Sequence, residues 1–190
     1  METNSSKETI IYRIDNNNII DWLSDNWQIC SEENYGGKNC MPINVIGSPL
    51  FDFIHDLETI HLYKIILGRV RDRMRPSTFE FRCDSPEKRR FLDLSIIPLK
   101  HKAVEFCSQV VRTELRESVV LLKNDIERSD EFIRICSMCK KIAISDTEWT
   151  EIESAIIKLK LFEKERMPQL THSLCQSCFN EAMARLDEQS

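Results

Sequence analysis

Apolar residues follow two different rhythms along this chain, and each predicts a different kind of element. Near the start, IIYRID and IIDWL flank Asn16, Asn17 and Asn18. Asparagine tolerates the left-handed backbone of tight turns, so this stretch predicts a β-hairpin. A short helix is expected next, capped near Ser24 or Asp25, carrying Trp27 and Ile29 and ended by Gly36 and Gly37. From Asp56 to Arg75 the apolar positions Leu57, Ile60, Tyr63, Leu67, Val70 and Met74 recur every three or four residues, the rhythm of a helix with one greasy face. Asp56 is placed to cap its start and Pro76 to stop it. Arg69, Arg71, Arg73 and Arg75 crowd its last turns, where the negative end of the helix dipole favours cations. A solvated helix end explains this arginine cluster more simply than an anion site.

Beyond Pro76 the period drops to two. Phe79, Phe81 and Cys83, then Leu92, Leu94 and Ile96, then Val104, Phe106, Ser108 and Val110 predict three antiparallel strands. The joins DSPEKR and LKHK are short enough for neighbouring strands to pair directly. Val119 to Leu122 is a further apolar run, read as an edge strand or as the lead into a linker. Lys123 to Glu131 is mostly polar, as a domain boundary is. The expected organisation is therefore residues 1–123 as one domain, 124–134 as a linker and 135–190 as a smaller module.

Composition narrows the class. With 42% hydrophobic and 30% charged residues and only four glycines in 190, the chain reads as folded rather than disordered or fibrous. No apolar run reaches the roughly 20 residues of a membrane span, and METNSSKETI has no signal-peptide core, so a cytoplasmic location is expected. The net charge of −5 argues against broad attraction to phosphate backbones or anionic membranes.

The strongest chemistry lies at the end. Cys136-Ser-Met-Cys139 and Cys175-Gln-Ser-Cys178 form two C-x2-C pairs, and eight cysteines in all are too sparse for a secreted disulfide scaffold. A C-x2-C turn presents two sulfurs to one edge of a metal, and two such turns complete a tetrahedron. Cys136, Cys139, Cys175 and Cys178 are accordingly expected to hold one structural zinc ion, with no vacant position for catalysis. An iron-sulfur cluster or switchable thiols at the same cysteines, which would make the chain a redox or oxygen sensor, stays open as an alternative. His172, three residues before Cys175, reads as a neighbour rather than a ligand. Trp149, Ile152, Ile156 and Leu159 form one helical stripe and Phe179, Ala182, Met183 and Leu186 another, predicting two short helices packed together over the metal. So short a segment has little core, and metal binding can supply its folding free energy.

The element order from Ile10 to Thr113, with NVIGSPLFDFIHD before the long helix and FEFRCDSPEKRRFLDLSIIPL after it, resembles a PAS sensor domain. The tail, through ICSMCKKI, WTEIE and THSLCQSC, resembles a cysteine-rich module found beside PAS domains in bacterial signalling proteins. The resemblance implies an α+β fold: a five-stranded antiparallel sheet with flanking helices forming a cup, followed by a small helical zinc module. PAS cups hold haem, flavin, a metabolite or nothing. For haem, the candidate axial ligands are His55, His61 and His101, each read more simply as a surface or capping residue. For flavin, GKNC at Gly37 to Cys40 is similar to the photoreactive-cysteine motif of light-sensing relatives, but those relatives carry it where this chain has Ile46 to Leu50, which lacks cysteine. Trp22, Trp27, Phe51 and Phe53 are read as core before cavity lining, and Cys30, Cys83 and Cys107 as small buried hydrophobes.

No phosphate loop, nucleophile elbow, zinc-protease helix or kinase signature occurs, so no enzymatic activity is expected. The expected function is a sensory or signalling adaptor that binds a small ligand and a signalling partner, or dimerises. A nucleic-acid-binding finger using Lys140, Lys141, Lys158, Lys160, Lys164 and Arg166 is the competing binding reading. Against it, residues 131–190 carry eight basic and ten acidic side chains.

Overall fold

The computed structural model describes residues 9–33 and 40–188, leaving aside the side chains of residues 30, 32 and 33. The expectations for Cys30, Gly36, Gly37 and the Gly37–Asn39 part of GKNC lie outside the described residues. The asparagine turn forms as its chemistry predicts. Strands β1 (Thr9–Ile14) and β2 (Ile20–Leu23) pair antiparallel across it. The Asp15 carboxylate accepts from the amides of Asn17 and Ile19, both at 2.8 Å, while Asn18 takes the left-handed conformation at φ +65°. Helix α1 (Trp27–Glu33) follows. Ser24 does not cap it through its side chain: the hydroxyl accepts from Ile11 N at 3.1 Å, tying the loop to the sheet instead.

A short helix α2 (Pro42–Val45) and a 3-10 turn at Leu50–Phe53 lead to the long helix α3 (Leu57–Arg73). Asp56 caps α3, its side chain accepting from Thr59 N at 2.7 Å. The buried line of α3 runs through Thr59, Leu62, Ile66, Leu67 and Val70, while Leu57 and Met74 at its two ends are 80% and 55% exposed. Two adjacent lines on this helix are apolar, and periodicity alone does not choose between them. The arginine cluster is not simply solvated. Arg69 pairs with Asp187 at 2.6 Å, Arg71 donates to the carbonyls of Lys102 and Asp15, and Arg73 donates to that of Leu186.

Strands β3 (Ser77–Arg82), β4 (Lys88–Pro98) and β5 (Val104–Leu115) complete a five-stranded antiparallel sheet in the order β2-β1-β5-β4-β3. Alternation decides its faces. Tyr12, Phe106 and Ile96 are register neighbours, with Tyr12 stacked on Phe106 at 4.6 Å, and the buried line of α3 joins Ile14, Phe79, Ile96 and Phe106 in one core. Cys107 follows Phe106 and so falls on the opposite face, half-buried, and Cys83 lies half-buried just past β3; neither is the core residue expected.

The second half departs further from expectation. Val120–Leu122 forms a 3-10 turn rather than an edge strand. Strand β6 (Arg128–Cys136) begins inside the polar stretch that reads as a join. It is the centre of a second sheet, order β8-β7-β6-β9, with β7 (Ile142–Ala143) and β8 (Trp149–Thr150) antiparallel and β9 (Met167–Ser173) parallel to β6. The expected all-helical module thus carries a mixed sheet. Its helices α4 (Ile152–Lys158) and α5 (Gln176–Glu188) do not share a core. Ile152, Ala155 and Ile156 of α4 pack with Leu121, Ile135 and Ile142, whereas Ala182 and Leu186 of α5 join the core of the first sheet. Trp149 lies on β8, not on the helix.

An ion network joins the two sheets. Asp84, its side chain 1% exposed, accepts from Arg82 at 2.6 Å and Arg116 at 3.3 Å. Arg82 also pairs with Glu151, and Arg89 and Arg116 reach Glu153 in the first turn of α4. Burial works against the Arg82 charge, yet its bonds to Asp84 and Glu151 hold its pKa above the usual range. Asp84→Ala leaves two buried guanidinium groups short of a counter-charge, at a cost of about 3–5 kcal/mol. A urea melt is expected to show a lower midpoint with little change in slope; an unmoved midpoint would mean the network contributes nothing.

Candidate metal centre

Parallel pairing of β6 and β9 is what assembles the cysteines. Cys136 is the last residue of β6 and stands in register with Ser173, the last of β9, so both strands end at the same place and both C-x2-C turns emerge side by side. In the first turn Cys136 N donates to Lys141 O at 2.8 Å and Lys140 N to Cys136 O at 3.1 Å, and Lys140 takes φ +60° to close it. In the second, Cys178 lies in the first turn of α5 and Phe179 N donates to Cys175 O. Ser137 N donates to Ser173 O at 2.7 Å, locking one turn against the other.

The sulfurs of Cys136, Cys139, Cys175 and Cys178 all lie within 4.8 Å of one another. Cys139 and Cys175 are 3.8 Å apart, close to the edge of a tetrahedron whose metal–sulfur bonds are about 2.3 Å. Amides of Cys175 and Cys178 point at the sulfurs of Cys136 and Cys175 from 3.5 Å, donors that favour thiolate over thiol. Cys136, Cys175 and Cys178 are buried and Cys139 half-buried. So close a set does not ionise together without a cation. Hydrogen bonds from Cys139, Cys175 and Cys178 hold the Cys136 thiol far below its ordinary pKa, while giving those bonds pushes Cys139 and Cys178 up. The four residues are therefore placed to hold a metal ion, and loading it must release protons.

The other candidates scatter. His172 is exposed, one position ahead of Ser173, at the mouth of a cavity rather than among the sulfurs. Of the haem candidates, His55 borders the same cavity, His61 stacks on Phe179 and His101 sits in an exposed turn at φ +59°. Phe53 lines that cavity; Trp22 stacks under the Arg13 guanidinium, and Trp27 donates to Cys40 O at 2.8 Å. Among the six cations of the nucleic-acid reading, Lys158 pairs with Glu148, Lys164 with Glu131 and Arg166 with Glu127, and Lys140 donates to Ser137 O. Burial lowers the pKa of Lys140, with Cys83 and Cys136 acting in the opposite sense.

Spacing does not reveal the join between this centre and the first sheet. Arg82 N donates to Met138 O at 2.7 Å and Ser137 Oγ to the cap carboxylate of Asp56 at 2.8 Å, so the middle of the first C-x2-C turn continues the edge of β3 and braces the start of α3. No protein-family model matches the chain, and no curated protein matches it. No helix among the described residues is long and apolar enough to cross a membrane.

Cys178→Ser is expected to lower metal affinity by more than the 10–100-fold typical of losing an outer partner, read by competition with a chromogenic chelator. Hydrogen exchange should then speed up in α5 and the first turn before the Ile142–Ile152 core, because only the former share a cluster with the sulfurs. Affinity must also fall as pH falls, since protons and metal compete for the same thiolates. Affinity independent of pH would exclude thiolate ligation.

Proposed function

We propose that this chain is a non-enzymatic sensory adaptor of bacterial signalling, in which a PAS-like cup takes a small ligand or a protein partner and a structural zinc ion braces one wall of that cup. The observation that carries the reading is that Cys136, Cys175 and Cys178 belong to the same buried cluster as the five-stranded sheet and α3. A metal site merged with the cup in this way fixes the shape of a receptor.

The five-stranded antiparallel sheet with α3 across one face supports the PAS likeness. Four thiolates support zinc, which needs no redox partner and, once so ligated, keeps no open position to activate water. A cluster of several irons spreads its cysteine sulfurs further than one ion does, so the 4.8 Å spacing supports a single ion over an iron-sulfur cluster. The acid partners of Lys158, Lys164 and Arg166 cancel much of the field that a nucleic-acid interface needs, which favours a ligand or protein as the thing recognised. Free thiols at Cys40, Cys83 and Cys107 suit a reducing cytoplasm.

Native mass spectrometry with metal analysis, on protein purified without air, tests this reading. The expected result is a colourless protein with one zinc per chain that retains a small molecule or travels as a complex. A brown protein carrying iron, or a metal-free monomer with nothing bound, overturns it.

A further inference from the structure

Between α3, the end of β3 and the first C-x2-C turn lies a cavity of about 290 Å³, near the low end of the range that small-molecule sites occupy. Its walls are apolar over Leu62, Ile66, Phe79, Phe81 and Leu94. Its polar end is asymmetric. Asp56 is the one acid on the lining among the described residues, and both its oxygens are taken, by Thr59 N and Ser137 Oγ. The groups with donors to spare include the Thr59 hydroxyl, the Lys140 ammonium, which spends one of its three protons on Ser137 O, the Tyr63 hydroxyl, the Arg82 guanidinium, which spends three of its five on Asp84 and Glu151, and the His55 and His172 imidazoles. Thr59 is 6% exposed, and its Oγ1 has no hydrogen-bond partner among the described residues. A buried hydroxyl left unpaired costs on the order of 1–3 kcal/mol, so a helix that keeps one in the wall of a cavity leaves a donor that a molecule filling the cavity can satisfy.

We infer that this cavity binds a small organic carboxylate with an apolar, aromatic-sized body, its head taken by Thr59 and Lys140, and that its occupancy is coupled to the metal. The inference rests on the adaptor reading and gives it a ligand class. Coupling follows from construction. Ser137 and Met138 line the cavity and also form the turn between Cys136 and Cys139, so a ligand resting on them favours the backbone that holds two of the four sulfurs. Linkage is reciprocal: a ligand that prefers the loaded turn must raise the affinity for the metal by the same factor as the metal raises its own. The cup and the metal centre then act as one receptor, with the metal turn as the movable part of its wall.

The probes are phenylacetate and indole-3-acetate, with phenethylammonium as the cation of matched body, titrated into zinc-loaded, nitrogen-15-labelled protein. The two carboxylates should shift the amide signals of Thr59, Ser137 and Met138 saturably, and the cation should not. Thr59→Val keeps the side-chain shape and removes the orphaned hydroxyl. It should weaken carboxylate binding about fivefold, the scale of one lost hydrogen bond, without lowering the melting temperature. Saturating phenylacetate should tighten zinc binding severalfold at equilibrium with a competing chromogenic chelator. Equal shifts from carboxylate and cation, no shifts up to solubility, undiminished binding to Thr59→Val, or a zinc affinity blind to phenylacetate would each overturn the inference. These readouts involve no partner protein. Failure here with zinc and a different retained molecule in native mass spectra leaves the adaptor reading standing, and success here with no partner found would confine the chain to ligand binding.

Discussion

Four thiols packed within 4.8 Å of one another repel as soon as they ionise, and held as thiols they bury polar sulfur to little advantage. A cation among them turns that conflict into attraction. The second half of the chain is arranged around this constraint. Two C-x2-C turns some 36 residues apart can meet only if the segments carrying them end together, and parallel pairing of β6 with β9 ensures that they do, with Cys136 opposite Ser173. The stretch between them must then cross from the end of one strand to the start of the next. It does so through β7, β8 and α4, whose Ile142, Ile152, Ala155 and Ile156 make a core of their own away from the sulfurs.

This division of labour explains why the tail holds two kinds of stabilisation. The crossover is supported by ordinary apolar burial. The sulfur end has no core of its own: its buried neighbours belong to the first sheet, where Leu174, Ala182 and Leu186 pack into the cluster of Ile14, Leu62, Phe79 and Phe106. Arg185 to Glu80 at 2.7 Å and Arg69 to Asp187 at 2.6 Å fasten α5 to β3 and α3 from the outside. Surface pairs of this kind contribute little each, on the order of 0–1 kcal/mol, so the apolar contact and the metal carry the attachment.

What the sequence made legible follows from how local each signal is. The asparagine hairpin, the Asp56 cap and the alternation of β3, β4 and β5 are short-range patterns, and the structure forms all three. The convergence of the four cysteines was legible because two C-x2-C pairs in one chain are a common way to surround a single metal ion. The mixed sheet of the tail was not. β7 and β8 hold two residues each, too short to show alternation, and β9 reads MPQLTHS, where only Pro168 and Ser173 are buried. Helix α5 showed its apolar stripe, but a stripe does not say what it faces, and it faces the first sheet rather than α4. The roles of Ser137, Met138 and Arg82 were invisible for the same reason: a serine, a methionine and an arginine acquire meaning only once a fold sets them beside Asp56 and the end of β3.

The tail is fastened to the first sheet at two places of different character. The ion network at Asp84 and the apolar core of α4 fix the far side of the tail against β4 and β5, so the tail as a body has little freedom to swing. The first C-x2-C turn is different. It is bonded to the end of β3 and the start of α3, through Met138 O and Ser137 Oγ, and it carries two of the four sulfurs placed to hold a metal ion, Cys136 and Cys139, with two residues between them. Ser137 N also ties this turn to Ser173 O, the end of β9. Ser137 and Met138 therefore belong at once to the wall of the cavity beside α3 and to the turn that carries Cys136 and Cys139, so what binds on one side rests on the same two residues as what binds on the other.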